Sequence, residues 1–400
     1  MRRALLLTII LGAACGTTAP PQIDEQTRGL IAQLTEALAQ QPTNLPWIYI
    51  LAQSHDRAHN PGEAARWLAR LDELGWEQGV NPADFRNTGA DRAVHAAMAK
   101  LDARQPRVSQ ARVAFTIQGQ RDLVPEGIAY DPVDDVFYLS SIHRRKVVRV
   151  DRAGAARDFV PEAQDGMLSS LGMKVDAARR LLWVVSTGTP EMRGATPEDE
   201  QRSILAAYDL RGGRLVRKVE ATPALLNDLA LLSDGSLFAT DMGRQKVVRL
   251  GPGANTLEDW ADGFSYPNGI AVSGDERFLY VADFRGVTRI TIADRTRQPI
   301  QSRALLNGID GLSFHDGNLL AIQNAIGSPR VLRIDPATGA VEVLESKNAL
   351  FEIPLTGAVA GGEYWFIANP GLRSFGEDHK IWPAARLQDP VMLRLPLPKS

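Results

Sequence analysis

One pattern recurs along most of this chain: a short apolar strand, a tight turn and a longer apolar strand. Ser265 to Phe284, SYPNGIAVSGDERFLYVADF, is its clearest copy. Ile270-Ala271-Val272 is the first strand, and Gly274-Asp275-Glu276 supplies the turn dihedrals. Phe278 to Ala282 is a near-continuous apolar run, as expected for a strand covered on both faces. The pattern returns as VPEGIAYDPVDDVFYLSS from Val124, LNDLALLSDGSLFATDM from Leu226 and IDGLSFHDGNLLAIQN from Ile309, with weaker copies from Leu171 and Thr356. A further strand follows each copy, often of one type, as in Val147-Val148-Arg149-Val150 and Val247-Val248-Arg249-Leu250.

Tyr138, Trp183, Phe238, Tyr280, Leu320 and Trp365 mark the second strand of six units. Their spacing, roughly 40–55 residues, is the blade period of a β-propeller. One unit cannot bury both faces of its sheet, whereas a ring of units can. The expected fold is mainly β: a six-bladed β-propeller over 111–400, closed by pairing Arg112–Gln118 with the last blade. A solenoid is the competing architecture, and the short strands, regular tight turns and lack of intervening helices disfavour it.

The first residues read as a targeting segment. Met1-Arg2-Arg3 is basic, and Ala4 to Gly12 is apolar but too short to cross a bilayer. The run ends in Leu11-Gly12-Ala13-Ala14-Cys15, which resembles a bacterial lipobox with Gly12 where Leu is usual. Residues 1–15 are therefore expected to be a lipoprotein-type signal with Cys15 lipidated, and 16–23 a tether. An ordinary cleaved secretory signal is the alternative. Either implies an exported protein of a bacterium; the lipoprotein reading makes it periplasmic or cell-surface and held to the membrane by its lipid anchor only. Cys15 is the only cysteine, so no disulfide is available there.

Residues 24–105 read as a small α-helical domain. Leu30, Ile31, Leu34 and Leu38 recur at helical spacing. Leu45–His59 and Glu63–Leu74 resemble one tetratricopeptide-like hairpin broken at Asn60-Pro61-Gly62, and Ala90–Ala103 adds a last helix. Such a domain is either a cap packed on the propeller or a surface for a protein partner. A net charge of −2 gives no basic footprint for nucleic acid.

Aligning the units on their second strands exposes one further column: Glu126, Leu171, Asn227, Asn268, Asp310 and Thr356. Each begins an innermost strand, where positions converge on a central channel. Five of the six are followed by Gly and one by Asp. Two carboxylates and two amides, with no Cys or His, suit a hard divalent cation: Ca²⁺ first, then Mg²⁺ or Mn²⁺, with Zn²⁺ open. Without a cation, Glu126 and Asp310 would be like charges in a low-dielectric channel. Asn-Gly and Asp-Gly are also common hairpin turns, but most units carry their own turn several residues later, so these residues precede strands rather than join them.

The motifs PEGIAY, LNDLALLSDG, YPNGIAVSGD and IDGLSF together resemble the senescence marker protein, gluconolactonase and luciferin-regenerating enzyme family, which includes regucalcin and is related to the paraoxonases. The resemblance covers the propeller. It implies a divalent ion held by Glu126, Asn227, Asn268 and Asp310, with Asp310 also the general base of a lactone or ester hydrolase. Two departures weigh against a sugar lactone. The family's substrate-contacting Arg is replaced by Leu225, and the paraoxonase His by Leu171. The expected function is thus divalent-metal-dependent hydrolysis of a more apolar lactone or ester. The alternative is a non-enzymatic, metal-containing propeller that binds a partner through its helical domain. His143 and His315 are read as solvated loop or turn residues.

Overall fold

The computed structural model describes residues 24–376 and 378–398. Cys15, the signal and the tether lie outside the described residues. Six four-stranded antiparallel sheets follow one another. Their inner strands are Ile128–Asp131, Ser169–Asp176, Leu226–Leu231, Ile270–Val272, Ile309–His315 and Gly357–Ala360. Each inner strand contacts those of the two neighbouring blades, so the ring is complete. Closure is as expected. Arg112–Thr116 pairs antiparallel with Val391–Pro396 and becomes the outer strand of blade six.

The second strands are buried along almost their whole length, as in Val136–Ser140 and Leu237–Asp241. This is why their sequences are continuously apolar rather than alternating. Between blades, side chains from adjacent sheets interleave into shared clusters, such as Ala271, Tyr280, Leu312 and Leu332 across blades four and five. An ion pair also crosses from blade to blade: half-buried Arg180 donates to both carboxylate oxygens of the buried Asp131, at 2.7 and 2.8 Å.

Four α-helices precede the propeller: α1 (Glu25–Gln40), α2 (Leu45–Arg57), α3 (Pro61–Glu73) and α4 (Arg92–Arg104). Asp24, Asn44, Asn60 and Asp91 cap them, each side chain accepting from a backbone N–H of the first turn. The break expected at Asn60-Pro61-Gly62 lies two residues earlier, at 58–60. Asn60 is the N-cap, and Pro61 opens α3, where its missing N–H costs nothing.

The helices enclose their own core around Tyr49, which stacks on Trp76 at 5.2 Å and meets Phe85 edge-on. Ile326, Phe284 and Leu305 of the propeller join that core. The docking is specific in its hydrogen bonds. Ser328 donates from its backbone to the Gln78 carbonyl at 2.9 Å and from its hydroxyl to that of Val80 at 3.0 Å. Gly327 has φ +77°, and a Cβ there would press on Gln78, so the approach depends on glycine.

Candidate metal centre

An inner strand leaves one face of the propeller, and the antiparallel second strand returns to it. The column residues stand at that face, as do the connections bearing His143, Met242, Phe284 and Ile326. The glycines after the column explain the packing at the axis. A Cβ on Gly127 would fall on the Leu171 carbonyl oxygen, one on Gly172 on that of Asn227, and one on Gly269 on that of Asp310. Gly311 approaches Thr356 in the same way. In blade three the slot holds Asp228 instead, and Thr240 Oγ1 makes the link to blade four by donating to the Asn268 carbonyl at 2.8 Å.

Glu126 and Asp310 are half-buried, and Asn227 is 8% exposed. Two buried oxygens there lack a hydrogen-bond partner among the described residues: Glu126 Oε2 and Asn227 Oδ1. The Asn227 amide nitrogen is 3.6 Å from Met242 Sδ, which fixes the oxygen as the free end. Burial pushes the Glu126 carboxyl well above its usual range; Asp310 and Asp228 add to the effect, and Lys174 opposes it. Burial likewise raises Asp310 to about 6, against the amide donors of Asn324 and Asn268 and with the charge of Asp228 adding. Asn324 Nδ2 holds Asp310 Oδ2 at 2.8 Å and also donates to the Pro354 carbonyl at 2.8 Å.

The electrostatics bring together Glu126, Asp310, Asp228 and Lys174. Asp228 and Lys174 are absent from the column as aligned. Asp228 directly follows a column residue, and Lys174 lies three residues beyond Leu171 on the inner strand of blade two. Three carboxylates against one ammonium leave two negative charges, and a divalent cation neutralises that remainder. Among the described residues, no three His, Cys, Asp or Glu side chains stand close enough to hold an ion by themselves. Amide oxygens must therefore complete any coordination, and Asn227 Oδ1 and Asn268 are the amides in place. The orphaned oxygens and the charge balance fit a hard cation.

The positions that depart from the family pattern are apolar and packed. Leu171 is 5% exposed and shares a cluster with Val124, Ile142, Leu226 and Phe375. Leu225 is half-buried and lies against Gly243. Phe375 belongs to a segment of blade six, between its second and third strands, which bridges at Phe375 and Ile381. It reaches blade two, where His379 Nδ1 lies 3.1 Å from Glu191 Oε1. With the helical domain over Phe284, Leu305 and Ile326, this segment roofs the face at which the column opens.

His143 is not a solvated loop residue. It is 7% exposed, edge-on to Phe375 at 5.7 Å, with Nδ1 2.8 Å from the Glu191 carbonyl. A carbonyl only accepts, so Nδ1 carries the proton. His315 is half-buried at the end of its strand, opposite Asn318.

The SMP-30/Gluconolactonase/LRE-like family model matches residues 124–345, more than half of the chain. A gluconolactonase from Xanthomonas campestris is similar in structure, with a TM-score of 0.52 at 19% identity, over 73% of this chain and 91% of that one. The PQQ-bound aldose sugar dehydrogenase of Streptomyces coelicolor gives 0.50 at 16% identity, over 72% and 98%. A luciferin-regenerating enzyme gives 0.48 at 14%, over 69% and 92%. Identities this low bear on the fold alone. No curated protein matches the sequence.

Proposed function

Because the chain belongs to the SMP-30/gluconolactonase/LRE-like family, we propose that it is a divalent-metal-dependent hydrolase of a lactone or ester. Glu126, Asn227, Asn268 and Asp310 would hold the ion, Ca²⁺ being the best match to an all-oxygen set. One observation carries the reading: two buried oxygens at the axis, Glu126 Oε2 and Asn227 Oδ1, have no hydrogen-bond partner among the described residues. A buried acceptor left unpaired costs about 1–3 kcal/mol, and a cation removes that cost at both atoms at once.

When bound, the cation polarises the ester carbonyl and acidifies water. Asp310 would take a proton, and the Asn324 hydrogen bond that orients its carboxylate supports this reading. Leu171, Leu225 and Phe375 present carbon rather than donors beside the column. This favours an apolar acyl or alkyl group over a polyhydroxylated sugar, whose hydroxyls would lose their hydrogen bonds there.

A panel of alkyl lactones and aryl esters, assayed with Ca²⁺ and with EDTA, tests the proposal. Turnover that EDTA abolishes and Ca²⁺ restores is expected. A second reading is a non-enzymatic propeller with a structural ion and a partner-binding helical domain. The roof over the column, with Leu171 packed in the same cluster as Phe375, is what favours it. Metal binding without turnover anywhere in the panel would select that reading.

A further inference from the structure

Lys174 opposes the effect of burial on Glu126. It projects from the inner strand of blade two toward blade three, and its Nζ stands 3.4 Å from Asp228 Oδ1. Asp228 replaces the glycine that follows the column residue in the other five blades. Its carboxylate is 8% exposed. Oδ1 accepts the Leu229 N–H at 2.8 Å, and Oδ2 lies 3.5 Å from the Ile270 nitrogen. Asp228 is therefore supplied with hydrogen bonds and a counter-charge from the protein itself. Glu126 Oε2 and Asn227 Oδ1 have no hydrogen-bond partner among the described residues.

We propose that Lys174 is a built-in counter-ion that cancels Asp228 and so limits the channel to a single divalent ion of moderated affinity. The inference rests on the metal reading above and extends it to a positioning pair outside the ligand column. Its logic is Coulombic. An ammonium within several ångströms of a bound cation repels it, and in a channel of intermediate dielectric the repulsion amounts to at least a tenfold change in affinity. Removing the ammonium leaves the Asp228 charge uncompensated beside the ion. Removing the Asp228 charge leaves the ammonium unopposed.

The test is Ca²⁺ titration calorimetry on chelator-stripped protein, with metal content measured by mass spectrometry. Wild type should take up one equivalent. Lys174→Met should bind the first equivalent about tenfold tighter or more, or take up a second, whereas Asp228→Asn should bind about tenfold more weakly. The double variant should return toward wild type. Lys174→Gln serves if Lys174→Met does not fold, judged by the melting curve of the metal-free protein. Wild type binding one ion, with the Lys174 and Asp228 variants both within twofold of it, would overturn the counter-ion role alone. Wild type binding no divalent ion would overturn the metal centre and this inference together.

Discussion

Asp310 combines two features that rarely coexist in a structural ligand. It is buried enough to be raised to about 6, and it is held in orientation by Asn324 rather than by an arginine or lysine. In the proposed reading this carboxylate would both hold the cation and take a proton. Asp310→Asn keeps the size and one oxygen donor but cannot accept a proton near neutral pH. At saturating Ca²⁺ this variant should retain the ion and lose turnover by roughly 10²–10⁴, the usual consequence of removing a general base. Asn227→Ala removes only a neutral donor, so its loss should be largely recovered by excess Ca²⁺. Unchanged turnover of Asp310→Asn at full occupancy would make Asp310 a ligand only. The column itself was readable because its members occupy one register in each repeat. Lys174 and Asp228 were not, since their contact joins strands of different blades, 54 residues apart. Register within a repeat says nothing about which side chains lean across to the next. His143 was misread for a related reason. Its basic neighbours suggest solvent, but Phe375 and Glu191, both distant in sequence, enclose it.

Strand and helix existence follows closely from the pattern, because each blade repeats its own turn chemistry and each helix carries its own cap. The segment 370–389 has no periodicity, and its position is set by where Phe375, Leu372 and Ile381 find apolar surface. It is a tertiary feature that local sequence cannot announce. In the proposed reading it would also control access to the column. Phe375 is 3% exposed and packs over His143, in one cluster with Leu171. On its other side, Arg373 pairs with Asp84 of the helical domain at 2.6 Å, with both side chains buried. Phe375→Ala should therefore do two things. It should cost about 3–5 kcal/mol of stability, as for other buried Phe truncations. It should also speed the loss of Ca²⁺ to EDTA several-fold without changing the number of ions bound. Chelation kinetics followed by a fluorescent Ca²⁺ indicator would check this, and an unchanged off-rate would mean that the ion leaves by the opposite end of the channel.

A propeller is a closed ring made from an open chain, so its weakest place is the seam. Here the seam is also where the helical domain is tied on. Residues 106–111 lead from α4 into the closing strand, and they run against the outer strand of blade five. Val108 and Ser346 exchange hydrogen bonds, and Lys347 Nζ reaches Asp102 at 3.0 Å. At the centre is Glu345, fully buried. Its Oε2 accepts the Gln110 and Ala111 N–H groups, each at 2.7 Å, and its Oε1 accepts Asn348 Nδ2 at 2.9 Å. The buried carboxylate is thus satisfied without a cation, and it clamps the two residues that precede the closing strand. Glu345→Ala orphans both N–H groups, at about 1–3 kcal/mol each. The loss falls on the seam rather than on any blade core, so the ring should open locally before the blades unfold. The expected result is a lower urea midpoint together with new proteolytic cleavage confined to 105–112, mapped by mass spectrometry. Glu345→Gln, whose single amide oxygen can turn to accept the Gln110 and Ala111 N–H groups at the expense of the Asn348 contact, should fall between wild type and Glu345→Ala. A lower midpoint without seam cleavage would mean that the ring and the helical domain come apart in one cooperative step, with Glu345 holding the molecule as a whole and not its closure.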